Sequence, residues 1–166
     1  MSQTLKLLDR VLFLAIGLLL AAMVVTVTIQ VVFRYLVQDP PVWTEEVARY
    51  LFAWEIFLAT GLAFGRGSHI VVDAMLMAVP DCGKRLLLIL SNLLVLGFLL
   101  LLLRFGVTMV QMTSNTFSAG AEINMGLVYA SLPTGAAISS LYVLLRLIDL
   151  LSGRDLSSKQ KTMLVD

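Results

Sequence analysis

Residues 11–33 form an unbroken run of 23 side chains without a charge, set between Arg10 and Arg34. As a helix rising about 1.5 Å per residue, such a run covers the roughly 30 Å of hydrocarbon in a bilayer. In lipid no water pairs with backbone N–H and C=O groups, so a crossing segment satisfies them within itself, as a helix does. Two more runs follow: 18 uncharged residues at 86–103, between Arg85 and Arg104, and 23 at 123–145, between Glu122 and Arg146. Pro133, with Gly135 just after it, predicts a kink or local unwinding in the last run. The leading segment is too long for the apolar part of a cleaved signal peptide and lacks a small-residue cleavage site, so it reads as an uncleaved first helix.

Composition agrees with the spans. Hydrophobic residues make up 59% of the 166 and charged ones 14%, where a soluble domain has about a quarter charged. A net charge of +1 gives no argument for nucleic acid. Cys82 and His69 are each the sole residue of their type, which excludes an internal disulfide and a bis-histidine haem anchor within this chain.

One further span is harder to place. Between Glu55 and Arg66 lie only ten uncharged residues, 56–65, or about 15 Å of helix. The helix must reach back through Glu55 and Arg49 to the stretch Pro40-Pro41-Val42-Trp43-Thr44-Glu45-Glu46, giving a second span at about 43–65 with Glu55 at membrane depth. Pro41 suits a first helical turn, and Glu45 and Glu46 suit the positive end of the helix dipole. The expected fold is therefore all-α, with four transmembrane helices in one domain, 1–151, and a polar cytoplasmic tail, 152–166. With both termini in the cytoplasm the inner side holds nine lysines and arginines and the outer side holds Arg34, Arg49 and Arg104. That is a clear positive-inside bias.

The residues able to carry polar recognition concentrate at the second span. Glu45 and Glu46 stand four and three residues before Arg49, spacings that favour ion pairs on one helix face. Trp43 and Tyr50 suit the membrane interface. These groups satisfy one another, or one of them also pairs with a partner protein. Glu55 lies away from both Glu46 and Arg49 around the helix; Arg34 or Gln30 on the first helix, or a second protein, are its candidate partners. Gly61 and Gly65 form a GxxxG motif, and Ser131, Gly135 and Ser139 repeat at spacings of four. Small residues allow close helix packing in lipid, against this chain or another. In the inner loop, Gly67, His69 and Asp73 precede a segment, 70–79, that reads as an amphipathic helix on the membrane surface; with Cys82 they are too loosely spaced for a metal site. No catalytic triad, phosphate loop or cofactor motif occurs, and no enzyme activity is expected. The first, third and fourth spans hold no acidic or basic residue of the kind pumps keep in their core. Two other readings stand beside a transporter subunit: a self-sufficient exporter or channel acting as a homo-oligomer around Glu55, and a membrane anchor for a redox enzyme.

The runs VVFRYLVQDPPVWTEEVARYLFAW, GLAFGRGSHIVVDAML and GLVYASLPTGAAI, in that order across four spans, resemble the small membrane subunit of tripartite ATP-independent periplasmic (TRAP) transporters. The resemblance implies a multi-pass protein of the bacterial inner membrane that takes no part in catalysis. In such systems a periplasmic substrate-binding protein delivers an organic acid, such as sialic acid, a C4-dicarboxylate, a sugar acid or a keto acid. A large multi-span subunit carries substrate and sodium, and the small subunit enlarges the fixed scaffold; sodium is expected on that large partner and no cofactor on this chain. By motif, Arg34, Trp43, Glu45, Glu46, Arg49 and Glu55 become partner-interface candidates, and Gly61, Gly65, Gly67, His69, Asp73 and Pro133 structural ones. Members of the family often have proline just before the fourth helix, where Asn124 stands here.

Overall fold

Long apolar segments bounded by turn formers give long helices. The computed structural model describes residues 3–39, 41–66 and 81–152. Helix α1 is Gln3–Val32, α2 Val42–Arg66, α3 Asp81–Thr113, α4 a short piece at Met125–Tyr129, and α5 Ser131–Leu151. Four helical stretches are long and apolar enough to cross a membrane, the last running through α4 and α5, and the fold is all-α.

The helices outrun the uncharged runs that announced them. Helix α3 passes through Arg104 to Thr113, because an exposed arginine at a helix periphery keeps its head group in polar surroundings and does not interrupt the backbone ladder. Helix α1 ends in a wide π turn, Phe33–Val37, and is closed by Gln38 at a left-handed φ of 61°. The expected irregularity in the fourth span is a break at Ala130 between α4 and α5. Ala130 keeps helical backbone angles, and the interruption falls where Pro133, in the first turn of α5, has no N–H to give to the carbonyl four residues back.

The architecture is an open row. Helix α1 packs on α2, α2 on α5 and α5 on α3, with no backbone contact between α1 and α3. The share of buried residues follows that order: 39% along the α4–α5 span against 11% along each of α1 and α3.

The α2–α5 seam is built from the small residues. A Cβ placed on Gly135 would sit 2.6 Å from the Phe57 carbonyl oxygen and 2.7 Å from its Cβ. One on Gly61 would lie 2.8 Å from Ile138 Cγ2, and one on Gly65 2.9 Å from the Tyr142 ring. Ser139 is 1% exposed beside Gly61. The two motifs therefore pack against each other within this chain. A similar approach, Gly106 against Leu132 and Pro133, sets α3 on α5.

One end of the row is tied by polar contacts. The Tyr142 hydroxyl donates to the Asp9 carboxylate, beside a core of Leu12, Leu58, Leu62 and Tyr142. Arg85 Nη2 donates to the carbonyls of Leu150 at 3.0 Å and Leu151 at 3.3 Å, satisfying the free C-terminal carbonyls of α5 with a cation at the negative end of its dipole. The Arg66 guanidinium lies 5.6 Å from the centre of the Phe13 ring, a cation–π distance.

Gly135→Ala should lower stability by about 1–3 kcal/mol, since its methyl meets backbone that cannot step aside. Gly17 and Gly97 have open space where a Cβ would go, so alanine there should be neutral or stabilising by up to about 1 kcal/mol. Thermal unfolding of the three variants in one detergent, followed by circular dichroism, separates them; equal losses at Gly17 and Gly135 would contradict the seam.

Candidate functional site

The polar residues cluster where α1 ends, α2 begins and the 114–124 loop returns. Helix α2 starts tightly: Thr44 is fully buried, its Oγ1 donating to the Pro41 carbonyl at 2.7 Å. The first turn then points Trp43 and Glu45 outward and Glu46 toward the loop.

Glu46 does more within the chain than its spacing to Arg49 indicates. Its Oε2 accepts the backbone N–H groups of Gly120 at 3.1 Å and Ala121 at 3.0 Å. Gly120 makes room for this, since a Cβ there would lie 3.0 Å from Val42 Cγ1. The loop is ordered from inside as well. Ser118 N–H donates to the Ile123 carbonyl and Met125 N–H to Thr116, both at 2.9 Å, around an isolated bridge between Phe117 and Asn124. Glu122 closes the turn at φ 52°. Asn124 caps α4: its Oδ1 accepts from Gly126 N–H at 2.8 Å and its Nδ2 donates to the Ser114 carbonyl at 2.6 Å. Its φ of −62° is the value a proline ring imposes, so the backbone geometry suits the family's usual residue, while asparagine adds the cap. Trp54 Nε1 donates to the Leu127 carbonyl at 3.2 Å, joining α2 to α4.

Of the two acids expected to reach Arg49, Glu45 does so, at 3.4 Å, with both side chains about two-thirds exposed or more. An ion pair that open contributes little to stability, so both groups are available to a partner. Arg34 is exposed on the π turn and Trp43 is 42% exposed.

Glu55 differs from the rest. It continues the face of α2 that carries Leu58 and Leu62, yet its Oε2 is buried without a hydrogen-bond partner among the described residues. It pairs with neither Arg34 nor Gln30, the internal partners that spacing offered. A carboxylate oxygen left so is costly in an apolar setting. Gly67, His69, Asp73 and the amphipathic segment 70–79 lie outside the described residues. No group of three or more metal-ligating side chains occurs among the described residues.

Sequence reasoning missed the Glu46 clamp, the Trp54 tie and the Asn124 cap. Asparagine directly before an apolar run is a readable N-cap signal. The other two join residues more than 70 positions apart, beyond any local pattern.

The family described as "Tripartite ATP-independent periplasmic transporters, DctQ component" matches residues 23–153. A putative TRAP transporter small permease protein of Haemophilus influenzae is 30% identical over 126 residues, 75% of this chain and 78% of that protein. The sialic acid TRAP transporter small permease protein SiaQ of Vibrio cholerae is 36% identical over 73 residues, 44% of this chain and 42% of that protein. The sialic acid TRAP transporter permease protein SiaT of Haemophilus influenzae is 27% identical over 128 residues, 76% of this chain but 20% of that longer protein.

Glu46→Ala should speed amide hydrogen exchange at Gly120 and Ala121, whereas Arg49→Ala should leave both amides protected. Exchange followed by mass spectrometry of the purified chain reads the difference; unchanged protection in Glu46→Ala would mean the loop does not hang on this carboxylate.

Proposed function

Because this chain belongs to the DctQ-component family of TRAP transporters, and so is a transporter subunit that works with a large permease, we propose that it is the non-catalytic part of the stationary scaffold. In this reading it holds a large sodium-coupled subunit in place and helps dock a periplasmic substrate-binding protein during uptake of an organic acid. It sits in the bacterial inner membrane with both termini in the cytoplasm. The Trp43 end faces the periplasm, and the nine lysines and arginines on the inner side give the orientation.

The observation that carries this reading is the open row. Helices α1 and α3 each bury only 11% of their span residues, so both flanks offer apolar surface to lipid or a second protein. The polar groups at the Trp43 end divide accordingly. Glu46 and Asn124 are used up in fixing the loop, and Arg34, Trp43, Glu45 and Arg49 stand outward as the docking set. Glu55 is assigned to the large subunit: a donor from outside the chain would satisfy the oxygen that no described residue reaches. Since SiaT carries a stretch similar to this chain within a much longer permease, a lasting contact between small and large parts is a reasonable arrangement. The choice among sialic acid, C4-dicarboxylates, sugar acids and keto acids is assigned to the other two proteins.

Reconstituted with its large subunit and binding protein, the chain should support sodium-dependent uptake; alone it should support none. Uptake by the isolated chain, abolished in Glu55→Gln, would replace the scaffold reading with the homo-oligomeric exporter. Arg49→Ala should reduce uptake or co-purification of the large subunit without loss of membrane insertion. Normal yield and normal uptake would remove Arg49 from the docking set.

A further inference from the structure

A second polar feature lies at the opposite end of α1 and has no part in the docking set. Lys6, Arg10 and Phe13 succeed one another at spacings of four and three, which places them on one face of the helix. Lys6 and Arg10 are exposed, and Phe13 is 59% exposed. Arg66, from the far end of α2, is exposed too and has its guanidinium 5.6 Å from the Phe13 ring centre. Two cations of α1 thus share a face with an aromatic ring over which a third cation, from α2, lies, and none of the three is in an ion pair among the described residues. Asp9, the acid nearest in sequence, has its carboxylate engaged by the Tyr142 hydroxyl.

The same face continues along α1 through Gly17, Leu20 and Val24. Leu20 and Val24 are 44% and 55% exposed, and no atom lies within 4 Å of where a Gly17 Cβ would stand. Cations at one end and a shallow apolar track leading away from them match an amphiphile with an anionic head. From Phe13 to Val24 the track is about 16 Å long, close to half of the roughly 30 Å hydrocarbon layer. It would thus take the chain of a lipid from a single leaflet. A free anion would use the cations and leave the track unexplained. An acidic protein segment would have no reason to follow the track into hydrocarbon.

We propose that this face of α1, completed by Arg66, binds one anionic phospholipid. Lys6, Arg10 and Arg66 hold its phosphate, and an acyl chain lies across the gap at Gly17 toward Val24. Arg66 bridges α1 and α2 through Phe13, so the lipid fastens these two helices together at their basic end. Under the orientation proposed above, the lipid belongs to the inner leaflet.

The test uses the full chain in mixed micelles holding equal phosphatidylglycerol and phosphatidylcholine, with retained lipids counted by native mass spectrometry. Micelles have no sides, so the result does not depend on the orientation being right. The chain should retain phosphatidylglycerol in preference. Each cation removed should cut that preference about fivefold. Arg66→Gln should do so alone, and the triple variant Lys6→Gln/Arg10→Gln/Arg66→Gln should bring the two lipids to parity. Arg104→Gln, which removes an equal charge elsewhere, should keep the preference, and Gly17→Leu should weaken retention with every cation in place. Equal retention of the two lipids by the unaltered chain would overturn the site without recourse to any variant. So would preference surviving in the folded triple variant, or displacement of the lipid by excess inorganic phosphate.

Discussion

The close approach of α2 and α5 is the contact on which the remaining geometry rests. Helices in lipid gain little from hiding apolar side chains, because the solvent is equally apolar; they gain from dispersion contacts made possible by short side chains. Gly61, Gly65 and Gly135 supply that shortness, and Gly135 receives the backbone of Phe57 at a distance that no side chain tolerates. With this seam closed, α2 has a defined rotation. Trp54 then points to the Leu127 carbonyl and Glu46 to the amides of Gly120 and Ala121. Tyr142 sits against Gly65 and within reach of Asp9.

From that central pair the molecule extends to either side without closing. Helix α1 adds to one flank and α3 to the other, each pinned at the basic end by an arginine: Arg66 over Phe13 and Arg85 on the last carbonyls of α5. A closed bundle would enclose its polar groups; an open row spends them on fastening its own ends and leaves its broad faces apolar. Such a shape leaves both flanks open to lipid or to a second protein. It also explains how a chain can carry so many polar contacts and still present mostly hydrocarbon to its surroundings.

Eight of the charged residues sort into three physical kinds. Glu46 and Arg85 act on backbone ends and hold loops or helix termini. Glu45 and Arg49 form an ion pair too exposed to matter much for folding. Glu55 has a buried oxygen, Oε2, without a hydrogen-bond partner among the described residues, and Lys6, Arg10 and Arg66 are exposed with no ion pair among those residues. The last two cases differ in sign and setting, one a carboxylate oxygen shut away from donors and the other cations open to the surroundings.

Hydropathy and the distribution of charge were enough to establish four membrane-length helices and the disturbance near Pro133, because these depend on composition within a helix length; the family resemblance came from three particular runs of residues. Spacing also marked the Glu45–Arg49 pair and the two small-residue motifs, since contacts between positions three or four apart follow from helical geometry alone. It could not say that those motifs meet each other in one chain, that Glu46 serves a loop 74 positions away, or that Glu55 finds neither Arg34 nor Gln30. Nor could it place the ends of α3, because an arginine that reaches solvent does not stop a helix. These were decided by the packing of α2 on α5, which sets how each helix is turned about its own axis, and no local pattern records that rotation.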